Sequence, residues 1–214
     1  MRTLPILFNT EMVKAILAGR KTVTRRLIKH NTEALLNSPF HKATPDVSDK
    51  QIITKLCKPP YEPGDVLYVR ETWCWCPCWD CGMDTAEGEC CDDDAVRIFS
   101  LDKKEYGCYC YRASCADNEY PSADTWHPSI HMPKAAARIF LKVKKVRAER
   151  LQDITPEQAV REGTKEEFPP MAFDEFRDIW NSTVKKSDIG VYGWNANPWV
   201  WAIELEMCEK PEEM

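Results

Sequence analysis

The stretch Gly19-Arg20-Lys21-Thr22-Val23-Thr24-Arg25-Arg26 packs four cations and two threonines into eight residues. Immediately before it, Met12, Val13, Ile16 and Leu17 recur on one helical face, Thr10 offers an N-cap oxygen, and Gly19 suits a left-handed helix end. The basic string therefore begins where a helix stops. Crowded cations raise the cost of charging any one of them, and a lysine responds with a lowered pKa where an arginine does not. Two readings follow. Lys21 is a base near neutral pH that activates the hydroxyl of Thr24, three residues on. Alternatively, the string is a phosphate-binding loop, or a helix end whose cations complement the helix dipole.

Working outward, residues 31–58 carry Asn31, Ser38, Pro39, Pro45, Asp46 and Ser48 without periodicity and are expected to form a mobile insertion. Glu62-Pro63-Gly64-Asp65 has the proline and glycine positions of a type II turn and feeds a strand over Val66-Leu67-Tyr68-Val69. Ala137, Ile139, Leu141 and Val143 alternate with Arg138, Lys142 and Lys144, which predicts a half-buried strand from Ala135 to Val146. Thr155-Pro156-Glu157-Gln158 supplies an N-cap, a first-turn proline and a capping-box glutamine, and Gly163 closes that short helix just after Glu162. Phe173, Phe176, Ile179 and Trp180 share one face of a third helix. Trp199, Trp201, Ile203 and Leu205 form the apolar face of a last strand. Short strands without a βαβ rhythm favour an α+β fold. At 214 residues, one domain spanning 1–214 with insertions at 31–58 and 74–115 fits best.

Hydrophobic residues at 43% and charged residues at 29% exclude a mainly disordered chain. The net charge of −5 hides a dipole: residues 1–30 hold seven Lys or Arg against one acid, and residues 80–124 hold twelve acids against four bases. A basic working end and an acidic insert are expected. The apolar run at Ile6-Leu7-Phe8 is too short for a signal peptide, and no stretch reaches the roughly 20 apolar residues of a membrane span, so a cytoplasmic protein without a membrane partner is expected.

The string Ile16-Leu17-Ala18-Gly19-Arg20-Lys21-Thr22-Val23-Thr24-Arg25, followed by Pro63-Gly64-Asp65-Val66-Leu67, Ala159-Val160-Arg161-Glu162-Gly163 and a last apolar strand, resembles the ASCH family. Val69-Arg70-Glu71-Thr72-Trp73, the segment Trp126 to Pro133, and Asn197-Pro198-Trp199-Val200-Trp201 are similar to an extended subgroup carried by bacteriophages and prophages. The resemblance implies a small PUA-like β-barrel with flanking short helices and recognition of RNA or a nucleoside. In small bacterial members it also implies hydrolysis of the acetyl amide of N(4)-acetylcytidine by a lysine, a threonine and a glutamate. Those residues match Lys21, Thr24 and Glu162.

Arg20, Arg25 and Arg26 are candidate substrate contacts, as are Arg70, Glu71 and Trp73 after the second strand and Trp126, Ser129 and His131 in a proline-bounded loop. A base stacked on tryptophan and read by Arg or Glu is how single-stranded nucleotides are held. Trp199 and Trp201 read as core, Trp73 and Trp126 as either core or platform, and Arg70 with Glu71 also as a simple ion pair. Nine of the eleven cysteines lie between Cys74 and Cys115. In a chain without an export signal this density points to structural zinc, with Cys76, Cys78, Cys81, Cys90 and Cys91 as candidate ligands, and free thiols or disulfides as the alternatives. Three function classes stand: an amidohydrolase on an acylated cytidine, a non-enzymatic RNA-binding domain using residues 20–26, and a phage-associated adaptor that binds a host protein through the insert.

Overall fold

A computed structural model describes residues 1–42, 46–77, 98–102, 104–115 and 126–212. In chain order the elements are β1 (Thr3–Leu7), α1 (Thr10–Leu17), β2 (Val23–Leu27), α2 (Thr32–Leu36), α3 (Pro39–Lys42), α4 (Asp49–Leu56), β3 (Val66–Arg70) and β4 (Trp73–Pro77). Then follow β5 (Ile98–Ser100), β6 (Glu105–Tyr111), β7 (Phe140–Arg150), α5 (Pro156–Arg161), α6 (Pro169–Thr183), α7 (Ile189–Tyr192) and β8 (Trp199–Cys208). The fold is mixed, with a five-stranded sheet in the order β1-β3-β7-β8-β2 and a three-stranded sheet in the order β4-β6-β5. Among the described residues the larger sheet is open, with β1 and β2 as its outer strands, and does not close into the expected barrel.

The chain forms two compact units. The first takes Met1–Leu4, Ala15–Leu67 and Leu141–Glu209. Its core joins Leu151, Ile154, Ala159, Ala172, Phe176, Trp180 and Val200. Helix α6 buries Ala172, Phe176 and Trp180 at fourfold spacing, as its apolar stripe predicts, and begins earlier than that stripe because Pro169 starts it. Strand β8 is buried on both faces from Trp199 to Ile203, not on one, because it lies between β7 and β2. Residues 31–58 depart from the expected loose insertion. Three short helices lie there, the last capped by Ser48 and Gln51 in a capping box and burying Ile52 and Ile53. Two buried isoleucines are an anchor that a search for long periodicity overlooks. The turn at Glu62–Asp65 is as read: Gly64 has φ 92° and the Asp65 N–H donates to the Glu62 carbonyl at 3.0 Å.

The second unit takes Pro5–Lys14, the described residues of Tyr68–Phe140, and the tail from Lys210. Helix α1 is capped here by Asn9, whose Oδ1 accepts from the Met12 N–H at 2.8 Å, one residue before the expected Thr10. The β4–β6 ladder is antiparallel, with Trp73 opposite Tyr111, Cys74 opposite Cys110, and Cys76 opposite Cys108. One face of this ladder is aromatic, where Trp73 and Trp75 both meet the Tyr109 ring edge-on. Gly107 is required under that face, since a Cβ there lies 2.5 Å from the Trp75 ring.

Candidate active site

Lys21 lies in the first unit between the end of α1 and β2. Gly19, at φ 71°, turns the chain out of the helix, and the N–H groups of Arg20 and Lys21 both return to the Ala15 carbonyl. The Lys21 side chain is then buried at 2% exposure. Its Nζ donates to the Val23 carbonyl at 2.9 Å, the Glu162 carbonyl at 2.7 Å and Glu162 Oε2 at 2.9 Å. Burial pushes the ammonium below the usual lysine range; the Glu162 carboxylate opposes this, and Arg26 and Arg25 add to it.

Glu162 is the C-cap of α5, held in place by Gly163 at φ 89°. A Cβ on Gly163 would come within 2.8 Å of the Cβ atoms of Ala15 and Lys21, so only glycine lets the two segments approach. The second carboxylate oxygen, Oε1, accepts from Arg25 Nη1 at 2.8 Å. One buried carboxylate thus joins both cations. Arg25 is also held by Glu149 Oε1 at 2.9 Å from its Nε and by Gln158 Oε1 at 2.7 Å from its Nη2. Glu149 accepts in turn from Arg147, whose other nitrogen reaches Glu204. Gln158 does not complete the expected capping box; Arg25 takes its side-chain oxygen.

Thr24 is buried on β2 opposite Ile203, and strand alternation turns its side chain to the face away from Arg25. Arg26 shares the Thr24 face, and burial lowers its pKa while Tyr61 and Glu162 oppose this. Arg20 donates to the Thr164 carbonyl. An open cleft of about 660 Å³ is lined in part by Lys21, Thr22, Lys144, Arg161 and Glu204. That volume is in the range of small-molecule sites.

Glu149, Arg147 and Glu204 were not singled out from sequence, and Gln158 only as a cap. The available signal is strand alternation: β7 runs on to Arg150, four residues past the predicted end, and places Arg147 and Glu149 on one face.

The remaining candidates lie in the second unit. Arg70 donates to the Ile130 and Met132 carbonyls and so clamps the turn Ser129–His131. It does not pair with Glu71. The 1%-exposed Glu71, just past the end of β3, is instead gripped by Arg138, Nε to Oε1 at 3.0 Å and Nη2 to Oε2 at 3.1 Å. The Arg138 guanidinium stacks 3.9 Å from the Tyr111 ring centroid. Trp73 packs on His127, with ring centroids 4.9 Å apart. Trp126 is half-buried, with the Arg112 guanidinium 5.8 Å from its ring, and His131 is exposed. Ser129 opens the clamped turn, and its carbonyl accepts from the Met132 N–H.

The Sγ atoms of Cys74, Cys76 and Cys110 lie within 4.8 Å of one another, close enough to hold one metal ion. The hydrogen bond to Cys110, and then burial, push the Cys74 thiol up to about 12. Of the five candidate ligands only Cys76 is among the described residues; Cys78, Cys81, Cys90 and Cys91 lie outside them. Among the described residues no helix is long and apolar enough to cross a membrane.

No family matches the chain, and neither a curated protein nor a solved structure does.

Proposed function

We propose that the chain is an ASCH-type protein of the PUA-like superfamily, its five-stranded sheet the counterpart of that barrel, and that it removes an acyl group from an N(4)-acetylcytidine-type base. The observation that carries this is the buried Lys21–Glu162 pair at 2.9 Å, formed between the Gly-Arg-Lys-Thr string and the glutamate that the resemblance names. Burial shifts the Lys21 pKa downward, the direction a general base requires. In the proposed reaction Lys21 accepts the Thr24 hydroxyl proton as Thr24 Oγ attacks the acetyl carbonyl. The amide C–N bond breaks, the cytosine amine leaves with that proton, and water hydrolyses the threonine ester to acetate. Glu162 orients the lysine and, with Arg25, keeps the charge around it balanced.

The phosphate-binding reading is less favoured. The Arg25 side chain is fully buried and held by Glu149, Glu162 and Gln158, so a phosphate would have to displace carboxylates to reach it. A structural zinc ion seated on the converging cysteines accompanies the proposal.

The test is incubation of the purified protein with N(4)-acetylcytidine and with acetylated RNA, following release of the deacetylated base. Release that disappears in Thr24→Ala and in Lys21→Arg, with substrate still bound, is the expected result. A folded protein that releases no product from either substrate refutes the activity.

A further inference from the structure

Strand β4 carries Cys74-Trp75-Cys76 and strand β6 carries Cys108-Tyr109-Cys110, two Cys-x-Cys arms in one ladder. Alternate residues of a strand share a face, and residues directly opposite across an antiparallel ladder share it too. The register sets Cys74 against Cys110 and Cys76 against Cys108, so all four thiols stand on one side of the hairpin, opposite its aromatic face. Within each arm the sulfurs lean together: Cys74 and Cys76 Sγ are 3.9 Å apart, and Cys108 and Cys110 Sγ are 3.8 Å apart. Four thiolates placed tetrahedrally about zinc at 2.3 Å have sulfur–sulfur distances of about 3.8 Å, which each arm already shows. Cys74, Cys76 and Cys110 are also mutually within 4.8 Å, whereas Cys108 Sγ lies beyond that distance from Cys74 or Cys76 and has to rotate inward to complete the set. Cys74 and Cys108 are buried and Cys76 and Cys110 half-buried, as suits a closed site with one wet side.

We infer that these two Cys-x-Cys arms form one four-thiolate zinc site, with Cys108 as the fourth ligand beside Cys74, Cys76 and Cys110. The inference rests on the zinc reading above and sharpens it, and it is independent of the proposed activity. A thiolate set without histidine or carboxylate leaves no open position, so the ion is structural. It locks the ladder register, because a slip of one residue turns two of its ligands to the opposite face. Cys78 and Cys81 are then not among its ligands.

The experiment uses the full chain, purified under reducing conditions without added metal. Zinc content is measured first, then the visible spectrum after exchange to Co²⁺, which reports tetrahedral thiolate ligation. Three variants accompany the wild type: Cys108→Ser/Cys110→Ser; Cys78→Ser/Cys81→Ser/Cys90→Ser/Cys91→Ser; and Cys115→Ser. In the wild-type chain, alkylation with peptide mapping before and after chelation reads protection at Cys76 and Cys110 without relying on any variant to fold.

The expected result is one zinc per chain with a thiolate cobalt spectrum, lost in the first variant and kept in the other two, and metal-dependent protection of Cys76 and Cys110. A chain that holds no metal sinks the zinc reading as a whole. Metal retained by the first variant, lost in the second or third, or failing to protect Cys76 and Cys110, overturns this ligand set and leaves the zinc reading standing.

Discussion

At the scale of single residues, the site depends on Glu162 lying between two cations. Removing one partner of a buried ion pair leaves an uncompensated charge, so Glu162→Gln is expected to cost about 3–5 kcal/mol, read as a fall in urea midpoint at unchanged slope. An unchanged midpoint would show that the carboxylate is dispensable. Lys21 has its pKa lowered on folding, so between its folded pKa and the ordinary value of 10.5 the unfolded chain binds more protons. Stability contributed by this group therefore rises with pH through that window and is flat below it. The proposed reaction follows the same titration, with turnover increasing as Lys21 loses its proton below pH 10.5, and Thr24→Ala removing the pH-dependent rate. Gly163→Ala meets both a φ of 89° and two Cβ atoms at 2.8 Å. We expect about 1–3 kcal/mol of destabilisation and, since Lys21 is one of the two neighbours, a loss of any activity larger than the loss of folded protein.

At the scale of elements, α6 supplies Ala172, Phe176 and Trp180 to the buried cluster of the first unit. Trp180 is buried beside Phe176, and its Nε1 donates to the Tyr192 carbonyl at 2.9 Å, so it joins α6 to α7. Trp180→Ala combines a large cavity with an orphaned carbonyl and is expected to cost about 3–5 kcal/mol by thermal or chemical denaturation. The stripe of Phe173, Phe176 and Trp180 was readable because helical periodicity is local. The end of β7 was not, because three of its last four residues, Arg147, Glu149 and Arg150, are charged and mask the hydrophobic alternation that marks a strand. The Glu149 carboxylate accepts from both Arg147 and Arg25, which makes this polar stretch compatible with burial.

At the scale of the whole molecule, the net charge of −5 and the engagement of Arg25 and Arg20 within the protein predict weak salt dependence for RNA binding. If Lys21, Arg25 and Arg26 neutralised three phosphates of a single strand, log K would fall with log salt at a slope of about −2. A shallower slope is expected, measured by fluorescence anisotropy of a labelled single-stranded RNA across a KCl series; the full slope would favour the phosphate-binding reading. The sequence by itself determined the features set by neighbouring residues: the glycine-ended helix before Lys21, the turn at Gly64, the Thr155 cap and the amphipathic face of α6. Nearest-neighbour sterics and hydrogen bonds suffice for these. Only the tertiary structure decided which groups meet, since Lys21 and Glu162 are 141 residues apart and Arg25 and Glu149 124 apart. The same holds for the cysteines, where spacing along the chain pointed to Cys76, Cys78, Cys81, Cys90 and Cys91, of which only Cys76 is among the described residues. The ladder register brought Cys74, Cys76, Cys108 and Cys110 to one face, because pairing across strands, not distance in sequence, sets which side chains are neighbours.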